Sequence, residues 1–249
     1  MRRLLIAGAA AAALLAVGAL AFDRSDSPDQ LLPDLRQFEP AAISVTETAG
    51  RHRLTFLSAV ENVGKGALLV EGRRATREDD TMSVEQIVRR VDGSSSSFPV
   101  EAELRYISSE THAHWHLLGF ERYELRRAAD GELVAPDRKT GFCLGDRFDS
   151  PRELPNEPRQ AVWTQECGLR SPGLLRIREG ISPGYGDDYV PTLEGQYVEL
   201  DGVPAGRYRL VHRVNPTRAL READYSNNSA SVLLDLAWRH GVPTITLTD

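Results

Sequence analysis

The sequence predicts an all-β fold, a single β-sandwich or distorted barrel domain carrying long functional loops, and three observations support this. Short stretches rich in Val, Leu, Ile, Tyr and Thr recur between turn signals, and most are too short or too β-branched for helices. Tyr208, Leu210, His212 and Val214 recur at every second position, with Arg209 and Arg213 between them, the period of a half-buried strand. From Asp34 onward neither an internal repeat nor a long charge run divides the chain, which suits one large domain.

The chain opens with Met1, Arg2 and Arg3, continues through an apolar, alanine-rich run from Leu4 to Leu20, and reaches Ala19-Leu20-Ala21. That pattern predicts a secretory signal peptide over residues 1–21 and a secreted or extracytoplasmic protein. The alternative is an uncleaved anchor, because the run approaches the ~18 apolar residues a spanning helix needs. A membrane is a partner only in that case. Residues 22–33, with Asp23, Arg24, Ser25, Asp26, Ser27 and Pro28, read as a mobile linker. Residues 34–249 read as the folded domain.

Within that domain, strands are expected at Ile43–Thr48, Arg53–Val60, Ala67–Glu71, Met82–Val91, Val100–Ile107 and Trp115–Leu125. Gly93 and the serines from Ser94 to Ser97 read as a loop inside the domain, and Glu153–Arg159, with prolines nearby, as irregular structure. Gln196–Leu200 and Arg207–Val214 flank the turn Asp201-Gly202-Val203-Pro204-Ala205-Gly206, and Ser231–Leu236 and Thr244–Thr248 complete the set.

The net charge is −6, or −8 without the first 21 residues, so nucleic acid is excluded as a partner. An acidic surface serves solubility and also suits cationic substrates. Two cysteines, Cys143 and Cys167, form an even pair in an exported chain, which predicts one disulfide.

Three of the six histidines fall within five residues, at His112, His114 and His116, separated by Ala113 and Trp115. On a strand this spacing places all three on one face. Imidazole suits copper, zinc or iron, and three such rings on one face are costly unless solvated or bound to metal. The outer Cα atoms of a straight strand would lie about 13 Å apart, nearly the full reach of two imidazoles, so a metal site requires twist or a bulge. The other reading of these rings is an exposed face backed by Trp115 and Leu117. His114, His116 and Glu121 also have the spacing of the first metal motif of cupins, with His212 after Pro204-Ala205-Gly206 as a partial match to the second. That reading leaves His112 unexplained.

The histidines are followed by Phe120-Glu121-Arg122-Tyr123-Glu124-Leu125 and then by Arg138-Lys139-Thr140-Gly141-Phe142-Cys143-Leu144-Gly145-Asp146. Downstream come Gly180-Ile181-Ser182-Pro183-Gly184, Asp187, Tyr189, Gln196, Val214-Asn215-Pro216 and Glu222-Ala223-Asp224-Tyr225-Ser226-Asn227-Asn228. These ordered motifs resemble the catalytic domain of lysyl oxidases, from about Pro33 to Leu236. The resemblance implies a copper-dependent amine oxidase with copper on His112, His114 and His116. It further implies a lysine tyrosylquinone made from Lys139 and Tyr189, with Tyr185 the neighbouring alternative, and Asp187 as candidate base. The implied reaction converts primary amines or lysine side chains of proteins, with molecular oxygen, to aldehydes, ammonia and hydrogen peroxide. Calcium is also implied, on Glu222, Asp224, Asn227 and Asn228 with the segment at Asp34 and Leu35. A tight turn built by Asp224 and the two asparagines is the alternative to that site.

Lys139 has support independent of the resemblance. The chain has 28 arginines and only two lysines, Lys65 and Lys139. Charge alone is supplied here by arginine, whereas only an amine can be the nucleophile. Burial would lower the pKa of such a lysine and supply the free amine. Animal members of the resembled family have a cysteine where Thr111 stands, and there the cysteines matching Cys143 and Cys167 have other partners. Two readings compete with the amine oxidase: a cupin-like non-haem metal enzyme and a non-catalytic exported metal-binding β-sandwich.

Overall fold

The computed structural model describes residues 27–109, 113–137 and 141–248, and the regular elements among them are all strands. In chain order they are β1 (Gln30–Leu31), β2 (Leu35–Gln37), β3 (Ala41–Thr48), β4 (Arg51–Asn62), β5 (Leu68–Arg73) and β6 (Thr81–Arg90). Then come β7 (Ser95–Ser108), β8 (Ala113–Leu118), β9 (Glu121–Arg127), β10 (Leu133–Pro136), β11 (Gly141–Phe142) and β12 (Phe148–Asp149). The last are β13 (Arg176–Ile181), β14 (Tyr185–Tyr189), β15 (Tyr197–Glu199), β16 (Gly206–Val214), β17 (Ser229–Arg239) and β18 (Val242–Thr248).

These strands form three antiparallel sheets. The first runs β11-β8-β7-β6-β5-β13 with β1 added to β6, and the second runs β10-β9-β16-β17-β18. The third is centred on β4, which pairs with β14, β15, β2 and β3. The predicted all-β architecture is therefore present, with sheets curled around a shared core.

Three local expectations change. Trp115–Leu125 is not one strand, because Gly119 at φ 71° takes a left-handed turn and separates β8 from β9. The break moves the chain from the first sheet to the second. Ser95, Ser96 and Ser97 belong to β7, paired with Arg89, Val88 and Ile87. Asp92 and Gly93, the latter at φ 86°, already complete the hairpin turn, and Asp92 Oδ1 accepts the Ser94 N–H. The linker reading extends too far at its end, since Gln30 and Leu31 pair with Arg90 and Arg89. Residues 1–26, which include the expected signal segment, lie outside the described residues. Glu153–Arg159 is irregular as expected.

The core sits where the three sheets meet. Phe56 on β4 packs its ring against Tyr123 of β9 at 5.0 Å and against His212 of β16 at 4.8 Å. Phe142 on β11 meets Tyr189 of β14 at 4.8 Å and Tyr123 at 6.1 Å, so one ring from the first sheet touches both others. Phe56, Phe142, Leu54, Leu104 and Leu210 are fully buried. Each such side chain contributes roughly 1.5–3 kcal/mol by burial, more than the ~0–1 kcal/mol of a surface ion pair such as Arg207–Asp235. The fold therefore depends on this junction, where the candidate site also lies.

Candidate functional site

β8 presents His114 and His116 on one face, with ring centroids 4.6 Å apart and planes inclined by 48°. The strand is in regular register with β7 here, His114 opposite Ile107 and His116 opposite Arg105. Trp115 turns to the other face, fully buried, and packs against Tyr106 and beneath Arg74. The loop at Cys167 lines the same strand, its carbonyl accepting the Trp115 N–H, while Arg170 donates to the Ala113 carbonyl. Two adjacent imidazoles fit a copper donor set. His112 lies outside the described residues, and among those described no group of three or more His, Cys, Asp or Glu is placed to hold a metal ion.

The segment that follows Lys139 runs directly beside this strand. Gly141 pairs with Leu118, and Phe142 with Leu117. A Cβ at Gly141 would sit 2.7 Å from the Cβ of His116, so only glycine permits the approach. Lys139 itself lies outside the described residues, two positions before Gly141. A series of buried carboxylates fixes the segment. Leu144 N–H donates to Glu179 and Gly145 N–H to Asp187, while Asp146 accepts the N–H groups of Val162, Trp163 and Ser182. Cys143 is bonded to Cys167 as the cysteine count predicts, with Cα atoms 5.6 Å apart. The bond joins the segment after Lys139 to the loop that lines the histidine strand.

Tyr189 is buried on β14 and donates its hydroxyl to the Cys143 carbonyl at 2.9 Å. The same hydroxyl lies 3.0 Å from Asp187 Oδ2. Burial, reinforced by the nearby Asp187 and Glu121 charges, holds the phenol pKa well above its usual value. Asp187 is 1% exposed, and burial pushes its carboxyl up to about 8, partly opposed by Arg147 at 3.9 Å. Its Oδ2 accepts both the Tyr189 hydroxyl and the Gly145 N–H. Tyr185, the alternative tyrosine, points elsewhere, its hydroxyl bonded to the Pro158 carbonyl.

A second polar group, around Tyr123, had only a weak signal in the sequence. Glu121 on β9 is 3% exposed, and its Oε2 accepts the Ser58 hydroxyl at 2.9 Å and the Tyr123 hydroxyl at 2.6 Å. His212, directly opposite Tyr123 in the β16–β9 ladder, is fully buried, and neither ring nitrogen has a hydrogen-bond partner among the described residues. Burial drops its pKa to about 3, so it is neutral. Glu121 and His212 are the residues that a cupin reading would have given to a metal; here both flank Tyr123 in the core.

At the far end of the sheet, Asp34, Leu35, Glu222, Asn227 and Asn228 come together. Glu222 accepts the Leu35 N–H and the side-chain amides of Asn215 and Asn228, while Asn227 donates to Asp34. Burial raises the Glu222 carboxyl to about 7. The side-chain oxygens of Asn227 and Asn228 are buried without partners, and oxygen-only donors of this kind fit calcium. Asp224 is exposed and accepts the backbone N–H and hydroxyl of Ser226 in a local turn, whereas the two asparagines bond to Asp34 and Glu222.

The all-β scaffold sets paired histidines beside the segment that begins at Gly141 and close to a buried tyrosine, and sequence comparison identifies the family. The chain matches the lysyl oxidase family over residues 82–241 and belongs to it. It is 32% identical over 118 residues to lysyl oxidase homolog 1 of Homo sapiens, covering 47% of this chain and 18% of that protein. Against protein-lysine 6-oxidase of Gallus gallus it is 28% identical over 160 residues, covering 63% of this chain and 34% of the relative. The Sus scrofa protein of the same name is 28% identical over 138 residues, 55% of this chain and 49% of the relative. The chain thus spans less than half the length of each of these relatives.

Proposed function

We propose that the protein is an exported, copper-dependent amine oxidase that converts primary amines, lysine side chains of proteins among them, to aldehydes with dioxygen. The overall reaction takes an amine, dioxygen and water to an aldehyde, ammonia and hydrogen peroxide. Membership of a family that includes protein-lysine 6-oxidases supports the reaction class. The observation that carries the reading for this chain is the hydrogen bond from Tyr189 to Cys143, which ties the tyrosine to the segment after Lys139, beside the histidine strand.

In this reading copper is held by His112, His114 and His116, and the organic cofactor is a lysine tyrosylquinone joining Lys139 and Tyr189; together they supply oxidation of the amine by dioxygen. The chain's own groups do the positioning. The Cys143 carbonyl and Asp187 hold the Tyr189 oxygen from two sides. Phe142 meets the Tyr189 ring edge to face and limits its rotation. Burial of Asp187 and Tyr189 keeps water from the reacting atoms and strengthens each charge interaction there. Calcium on Asp34, Leu35, Glu222, Asp224, Asn227 and Asn228 would tie the first described segment to the last.

The test is a hydrazine probe on aerated, copper-loaded protein. A coloured adduct with amine-dependent peroxide release supports the reading. A colourless protein that releases no peroxide from any primary amine contradicts it.

A further inference from the structure

A cavity of about 310 Å³ opens between the turn at Lys65, strands β5 and β6, and the irregular loop that carries Val162 and Trp163. None of His114, His116, Tyr189 and Asp187 lines it. Its volume falls at the lower end of small-ligand pockets, which span about 300–1,000 Å³. Leu31, Leu69, Ile87 and Trp163 give it apolar walls, and the only ionisable side chains among its described lining residues are Lys65 and Arg89. Neither of these two side chains is ion-paired or hydrogen-bonded to a described residue. The lining is therefore apolar with a purely cationic polar part.

Each wall is fixed by bonds of its own. Asn156 Nδ2 donates to the carbonyls of Gly64 at 3.1 Å and Lys65 at 2.9 Å, which pins the turn bearing the amine. Gly66 N–H donates to the Leu32 carbonyl at 3.0 Å, and a Cβ at Gly66 would overlap the Leu31 carbonyl oxygen, so this turn lies directly on the chain beside β1. Opposite, Asp146 Oδ2 accepts the N–H groups of Val162 and Trp163, and the Trp163 carbonyl accepts the Asp146 N–H. The Trp163 indole rests on Gly180, where a Cβ would sit 2.9 Å from Cε2. A cavity held open in this way loses little order when a ligand enters.

We propose that this cavity binds an amphipathic organic anion, an apolar body bearing one carboxylate, with the body against Trp163 and Ile87 and the carboxylate on Lys65 and Arg89. Burial of the body against the apolar walls supplies the hydrophobic part of the affinity. The carboxylate supplies the rest, because it gives both cations the charge-assisted partner that no described lining residue provides. A neutral ligand of the same shape leaves those cations unmatched, and an amine is repelled by them. The site is thus distinct in sign from one that takes an amine substrate, and it stands independently of the amine oxidase reading.

The test is isothermal titration of the protein with 3-phenylpropionate and with octanoate, beside the neutral 3-phenylpropanamide and beside acetate. At least one of the two acids should bind at one site per chain with a Kd below about 1 mM. Tighter binding of the first identifies an aryl body, and of the second an alkyl body. The amide lacks the charge and acetate lacks the body, so each should bind at least roughly tenfold more weakly. Lys65→Gln and Arg89→Gln should each weaken the acid by roughly tenfold and narrow its advantage over the amide. Ile87→Trp, which fills the space, should abolish binding while the thermal unfolding midpoint shows a folded protein. No saturable binding of either acid overturns the proposal, as does equal affinity for acid and amide. Undiminished acid binding in the Lys65→Gln, Arg89→Gln double variant also overturns it.

Discussion

The hydroxyl of Tyr189 donates to the carbonyl of Cys143 across 2.9 Å, four residues beyond Lys139. Through this bond two distant parts of the chain share one site. Cys143 is in turn bonded to Cys167, whose carbonyl pairs with the strand bearing His114 and His116. The disulfide, the tyrosine and the histidine strand thus form one connected frame.

Breaking that frame should cost stability. Replacing Cys143 and Cys167 together with alanine is expected to lower the unfolding free energy by about 2–5 kcal/mol, since the closed loop constrains the unfolded chain. Urea titration of wild type and double variant checks this. Equal midpoints and slopes would remove the staple from the account.

Copper should depend on the histidine face. His114→Ala and His116→Ala are each expected to lose stoichiometric copper after dialysis, because the remaining imidazoles cannot complete the donor set. Elemental analysis measures it, and one copper per chain retained in the double variant would sink the assignment.

His212 predicts an acid sensitivity with a defined sign. Its folded pKa, about 3, lies below the ordinary value of 6.5, so protons favour the unfolded chain. The wild type should lose stability relative to His212→Val as pH falls from 6.5 toward 3, by up to about 1.4 kcal/mol per pH unit. Above pH 6.5 the difference should be flat. Denaturant midpoints for both proteins at pH 4.5 and 7.5 decide this, and a pH-independent difference contradicts a buried neutral histidine.

Part of the candidate site was legible in the sequence because it is encoded in local patterns. The alternation around His114 and His116 marked a strand face, whereas Lys139, singled out by the scarcity of lysine, lies outside the described residues. The even cysteine pair gave the Cys143–Cys167 bond. Glu121 and His212 were less legible, because their surroundings come from different sheets. Nothing local in Glu121-Arg122-Tyr123 shows that Ser58 will approach from β4, and His212 reads as one more inward residue of an alternating strand. Gly119 illustrates the same limit at the level of fold, since a single left-handed residue moved the chain between sheets where hydrophobic content alone suggested one continuous strand.

The most direct test of the central claim is peptide mapping of aerated, copper-loaded protein beside protein kept copper-free. A covalent peptide pair containing Lys139 and Tyr189 is expected only in the copper-loaded sample. Lys139→Arg should abolish the pair and amine-dependent peroxide release while copper stays bound, because arginine keeps the charge but not the nucleophile. Full amine oxidase activity in Lys139→Arg, or a wild type that is active with Lys139 and Tyr189 recovered as separate unmodified peptides, would contradict the account.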